Sequence, residues 1–154
     1  MKHLKLGILA AALACFAAPA LGDDREDMER FMSDYLVQWN AHDAAAIVDH
    51  FYRLDATHPW RTVEGLQAEF DRLKAQGYDK SEIHGITGCV LTDDTGQVEL
   101  RFTRLTVDGG FLPPKDRTSL YRLRKFEDGW RVTGMSALPA GERMTCPTGP
   151  APAN

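Results

Sequence analysis

Between Asp24 and Asn40 the apolar positions Met28, Phe31, Met32, Tyr35, Leu36 and Trp39 recur at intervals of three and four. That spacing sets them on one face of an α-helix. Asp23, Asp24, Glu26 and Asp27 crowd its first turns, where the helix dipole favours negative charge. Asp43 is a suitable N-cap for a second, shorter helix with Ala44, Ile47, Val48 and Phe51 as its buried stripe. A third helix is predicted from about Glu64 to Gln76, with Leu66, Phe70 and Leu73 inward and Gly77 as its stop.

From Ser81 the period changes. Runs 81–92 and 97–107 flank the turn Asp93-Asp94-Thr95-Gly96, and Asp128-Gly129 joins 117–126 to 130–138 as a hairpin. Asp108-Gly109-Gly110 and Pro113-Pro114 break the chain between the two pairs. Alternation is clean through Val98, Leu100 and Phe102, then shifts to Leu105 and Val107. The shift predicts a bulge near Thr103-Arg104 and a bent strand. Other strands carry apolar residues on both faces, as a sheet covered on both sides would. Helices followed by an antiparallel meander make the fold class α+β, with the helices packed on one face.

The two ends differ from this domain. A basic start (Lys2, Lys5), an apolar run from Leu6 to Ala18 and small residues up to Gly22 read as a secretory signal peptide over residues 1–22. The run is far short of the ~20 residues that span a bilayer, so no stable membrane anchor is expected. Cys15 inside it lacks the Leu three positions upstream that a lipoprotein signal has; Ala12 stands there. Residues 23–139 form the domain, and 140–154, rich in Pro, Gly and Ala, read as a flexible tail. The expected location is the periplasm or outside the cell.

Cleavage would remove two lysines and no acid, moving the formal net charge from −4 to −6. That balance argues against a nucleic-acid partner. Residues 101–131 are locally basic, which reads first as the solvated face of strands and second as an anion or partner surface. Cys89 and Cys146 would remain, and an oxidising compartment permits one disulfide between them. His42, His50, His58 and His84 fall in no metal-ligand spacing. The chain has neither a P-loop nor a dinucleotide fingerprint, so no metal and no cofactor are expected.

Trp39-Asn40-Ala41-His42-Asp43, Ile47-Val48, Phe51-Tyr52 and Asp55-Ala56-Thr57 before His58-Pro59 together resemble the opening of an NTF2-like (SnoaL-like) domain. Gly65-Leu66-Gln67-Ala68-Glu69-Phe70 and Gly129-Trp130-Arg131-Val132 through Leu138 are similar to the family's third helix and closing strand. The resemblance implies a curved antiparallel sheet wrapped around three N-terminal helices into a cone, with a pocket inside. It also implies a homodimer formed by the sheet's outer face.

Within the family, the ketosteroid isomerase branch is the nearest comparison. Tyr35 stands eight residues before Asp43, where that branch has an oxyanion-binding Tyr. His58 precedes Pro59, where the branch has its carboxylate base, and an imidazole can abstract the same proton. Ser119 or Tyr121 occupies the region of the branch's second acid, so that element is missing. Trp39 and Trp60 are expected to wall the pocket.

Three functions fit these residues. One is a pocket binding a small apolar or carbonyl-containing molecule. Another is a cofactor-independent isomerase, cyclase or dehydratase with His58 as base and Tyr35 as hydrogen-bond donor. The third is a dimeric protein-interaction module.

Overall fold

A computed structural model describes residues 24–147. The signal peptide expected over residues 1–22, Cys15 with it, and the tail beyond Pro147 lie outside the described residues. Helix α1 (Asp24–Ala41) and helix α2 (Ala44–His50) come first, then a short 3-10 turn (Pro59–Arg61) and helix α3 (Val63–Ala75). Four strands follow: β1 (Tyr78–Val90), β2 (Thr95–Thr106), β3 (Arg117–Phe126) and β4 (Gly129–Ala137), antiparallel and in sequential order in one sheet. The α+β architecture is therefore the expected one, with three helices against a four-stranded meander.

Local chemistry explains the element ends. The Asp43 carboxylate accepts from the Ala46 backbone N–H (2.9 Å) and starts α2. Thr62 does the same for α3 by accepting from Gly65 N–H (3.1 Å), and Gly77 at φ +86° ends that helix. The core joins one face of α1 (Met28, Met32, Tyr35, Leu36, Trp39) to Ile47, Leu66, Phe70 and Leu73. Val98, Leu100, Phe102, Tyr121, Leu123 and Val132 meet them from the inner face of the sheet. Where α1 crosses the sheet, the Glu29 carboxylate accepts from the Gly88 N–H (2.8 Å).

The expected bulge at Thr103-Arg104 is absent. Strand β2 runs in register past both residues, and the extra residues sit elsewhere: Asp79 and His84 in β1, Thr133 in β4. Each adds one unpaired residue to one side of a ladder and so bends the sheet around the helices.

The C-terminal segment is also different from expectation as far as it is described. Glu99 points to the outer face, since its neighbours Val98 and Leu100 point into the core. Yet only 2 % of it is exposed. Residues 142–147 cover it: Arg143 Nε donates to one carboxylate oxygen (2.6 Å) and the Met144 N–H to the other (2.6 Å). Cys146 is disulfide-bonded to Cys89, also on that face. Two bonds to one buried carboxylate and one covalent link make this stretch a strap.

Candidate functional site

Between the helices and the inner face of the sheet lies a cavity of about 330 Å³. Its floor is buried and mostly apolar, built from Leu36 and Trp39 of α1, Leu100 and Phe102 of β2, Tyr121 of β3 and the Ser81 hydroxyl. Its rim is half-buried or exposed: His58, Trp60, Arg104, Ser119, Met135, Ser136 and Ala137. The volume stands at the lower end of the range that holds small molecules.

The 55–61 segment positions one side of the rim. Asp55 accepts from the backbone N–H (2.8 Å) and hydroxyl (2.6 Å) of Thr57, which holds its carboxyl below the usual carboxylate range. His58 then caps the 3-10 turn: its Nδ1 accepts from the Trp60 N–H (3.1 Å). A backbone amide can only donate, so Nδ1 carries the lone pair and the neutral ring carries its proton on Nε2. The turn packs down onto α3 at Gly65, where a Cβ would run into the Pro59 carbonyl. Trp60 leans on Trp39 with ring centroids 5.9 Å apart.

The polar groups of the floor are satisfied among themselves. Trp39 Nε1–H donates to the Tyr78 hydroxyl (3.0 Å), which shares a hydrogen bond with Ser81 Oγ (2.8 Å). Asn40 clamps Ser81 from behind through its backbone N–H (2.8 Å) and carbonyl (3.0 Å). Tyr121 faces the cavity; burial raises its hydroxyl to about 12, against the opposing pull of a hydrogen bond with Tyr35 and the charge of Arg104.

Of the residues expected from sequence, His58, Trp39, Trp60, Ser119 and Tyr121 are brought together around this cavity. Tyr35 is not. It is wholly buried behind Tyr121, with ring centroids 5.6 Å apart, and its hydroxyl is bonded to that of Tyr52 (3.0 Å). Burial, followed by the neighbouring Tyr121 and Tyr52, drives its hydroxyl well above the ordinary tyrosine range. The inward face of α1 serves both core and cavity, and Tyr35 falls on the core side.

The proposed proton shuttle is therefore not assembled. Its donor does not line the cavity, and one His58 nitrogen is already engaged as an acceptor. Among the described residues no group of three His, Cys, Asp or Glu side chains could hold a metal ion.

Sequence reasoning missed Ser81, Met135 and above all Arg104. The basic residues of 101–131 read first as a solvated face and second as an anion or partner surface, whereas Arg104 lies on the inward row of β2 with Leu100 and Phe102 and reaches the cavity. Strict alternation carried two residues past Phe102 would have found it.

The sequence model of a family described as NTF2-like protein (DUF6841) matches residues 25–140. No curated protein matches. Among solved structures, an NTF2-like protein with a cystatin-like fold from Novosphingobium aromaticivorans aligns at TM-score 0.57 and 20% identity, over 77% of this chain and 84% of that one. An NTF2-like superfamily protein from Salmonella enterica aligns at TM-score 0.54 and 13% identity, over 79% and 97%. A ketosteroid isomerase-like protein from Erwinia carotovora aligns at TM-score 0.50 and 18% identity, over 77% and 98%. At these identities the structural likeness speaks to the fold alone.

Proposed function

The chain belongs to the NTF2-like family DUF6841, and from that premise we propose that its cavity binds a small, largely apolar molecule without converting it. One observation carries the reading: a ligand-sized cavity with an apolar floor and a polar rim. The floor's polar atoms are spoken for by one another, so an apolar body can enter without leaving them unpaired. The isomerase reading is the weaker one, because Tyr35 stands outside the cavity. We further propose that the protein acts after export. The signal-like pattern of residues 1–22 and the disulfide between Cys89 and Cys146 both support that, since such bonds persist in oxidising compartments.

Native mass spectrometry of protein purified from its own compartment tests the binding. The expected result is a co-purified small molecule that is lost in Ser119→Phe, whose ring would occupy the cavity. A bare protein mass, together with no thermal shift across a panel of apolar and carbonyl compounds, would overturn the reading.

A further inference from the structure

Arg104 is the anomaly of the cavity. Its Nε is shielded from solvent and has no hydrogen-bond partner. Among the described residues none of the ion pairs includes it. What it touches is aromatic: the guanidinium carbon lies 5.9 Å from the ring centroids of both Tyr78 and Phe102. Such packing holds the guanidinium by its faces and leaves its donor edge to other partners.

A second arginine makes the position less favourable still. Arg117 lies on the inward row of β3 with Ser119 and Tyr121, directly opposite Phe102. Its Nη2 donates to the carbonyls of Pro113 (2.6 Å) and Leu112 (3.4 Å), while its Nε, like that of Arg104, is buried without a hydrogen-bond partner. Its guanidinium is held below the ordinary arginine range by burial and by the charge of Arg104. Arg117 thus sets a second positive charge beside the Arg104 that lines the cavity, and no described Asp or Glu lines that cavity. A folded protein does not hold an uncompensated cation at the rim of an apolar cavity without cost. An anion arriving with the ligand would remove that cost.

The other rim groups have the same polarity. The neutral His58 ring has its proton on Nε2, a donor, and Ser119 and Ser136 supply hydroxyls that can donate. No rim side chain is an obligate acceptor.

We propose that the cavity takes its ligand as a carboxylate: a small apolar acid whose body lies on the Trp39–Leu100–Tyr121 floor and whose headgroup is held at the rim by Arg104. This rests on the binding reading above and adds the ligand's charge to it. Arg104 is then the residue that selects acids over their neutral analogues.

Isothermal titration of the purified protein with 4-phenylbutyrate and with 4-phenylbutyramide separates the two ideas. The acid is expected to bind about tenfold to a hundredfold tighter than the amide, the range of a charge-assisted hydrogen bond. Arg104→Gln should abolish that preference by weakening the acid alone. Its unfolding midpoint should equal or exceed that of the unsubstituted protein, because an unpaired cation has been removed beside Arg117. Affinity for the acid should also fall with added NaCl in the unsubstituted protein, while affinity for the amide should not. Equal affinity for acid and amide would overturn the carboxylate assignment and leave the pocket reading standing. Binding of neither compound would overturn the carboxylate assignment, and the native mass and compound panel then decide the pocket reading.

Discussion

Breaking the Cys89–Cys146 link should be the largest single-site loss of stability available on the outside of this domain. The cross-link closes a loop with a sequence separation of 57. On the chain-entropy relation such a loop restricts the unfolded state enough to stabilise the fold by about 4 kcal/mol. Cys146→Ser is the cleaner perturbation, since Cys146 is exposed whereas Cys89 is 1 % exposed and substitution there would also disturb packing. For a domain of this size about 4 kcal/mol corresponds to a fall of roughly 10–20 °C in the thermal midpoint.

Urea denaturation reads the same quantity and adds a second observable. Without the cross-link the unfolded chain is more expanded, so the dependence of unfolding free energy on urea should steepen. A midpoint shift without that steepening would mean the loss comes from the native state. A change under about 1 kcal/mol with an unchanged slope would refute the entropic reasoning altogether. Hydrogen exchange at the Met144 amide then separates tether from strap. That amide donates to a Glu99 oxygen at 2.6 Å, and it should lose protection in Cys146→Ser if the covalent bond is what keeps the strap in place.

Gly65→Ala should cost about 1–3 kcal/mol, because a Cβ at that position meets the Pro59 carbonyl and must push the 3-10 turn off α3. Urea midpoints measure the cost and tryptophan fluorescence reports the displacement of Trp60; an unchanged midpoint would contradict the close approach. At alkaline pH the buried tyrosines set a limit on stability. Tyr121 is raised from 10.0 to about 12 in the fold, so its contribution is full below pH 10 and is lost as pH climbs towards 12, about 3 kcal/mol in all. Urea midpoints at successive pH values should fall less steeply in Tyr121→Phe, and identical slopes in the two proteins would refute the assignment.

The helices were legible because their information is local. Period, the N-cap at Asp43 and the stop at Gly77 are all written within a few residues of the structure they make. The rim residue His58 comes from the resemblance instead, as the residue before Pro59 where the ketosteroid isomerase branch carries its base, and it lines the cavity. The place of Tyr35 was not legible, because a helical wheel says which face is inward and not what lies there. Its partners Tyr52 and Tyr121 come from segments 17 and 86 residues further along the sequence. The strap was legible only in its covalent half, because the cysteine count leaves Cys89 and Cys146 to pair. Pro, Gly and Ala make residues 140–147 look unstructured. Only the distant carboxylate of Glu99 and the thiol of Cys89 give that segment a place.

The two errors on β2 have one cause. The inward row of that strand is Val98, Leu100, Phe102 and then Arg104, without interruption. Because the fourth member is charged, apolar alternation ends there and the next apolar residue, Leu105, looks like a slip of the strand. Leu105 is half-buried through its bridge to Phe111, and Val107 beyond it is 77 % exposed, so neither continues a buried row. The pattern therefore suggests a bulge where the strand is regular, and favours a solvated reading of an inward arginine over its alternative as an anion surface. Hydrophobic patterning assumes that what faces inward is apolar, which holds for a core and fails at the mouth of a cavity. The point where the pattern breaks on β2 is accordingly where the core ends and the candidate site begins.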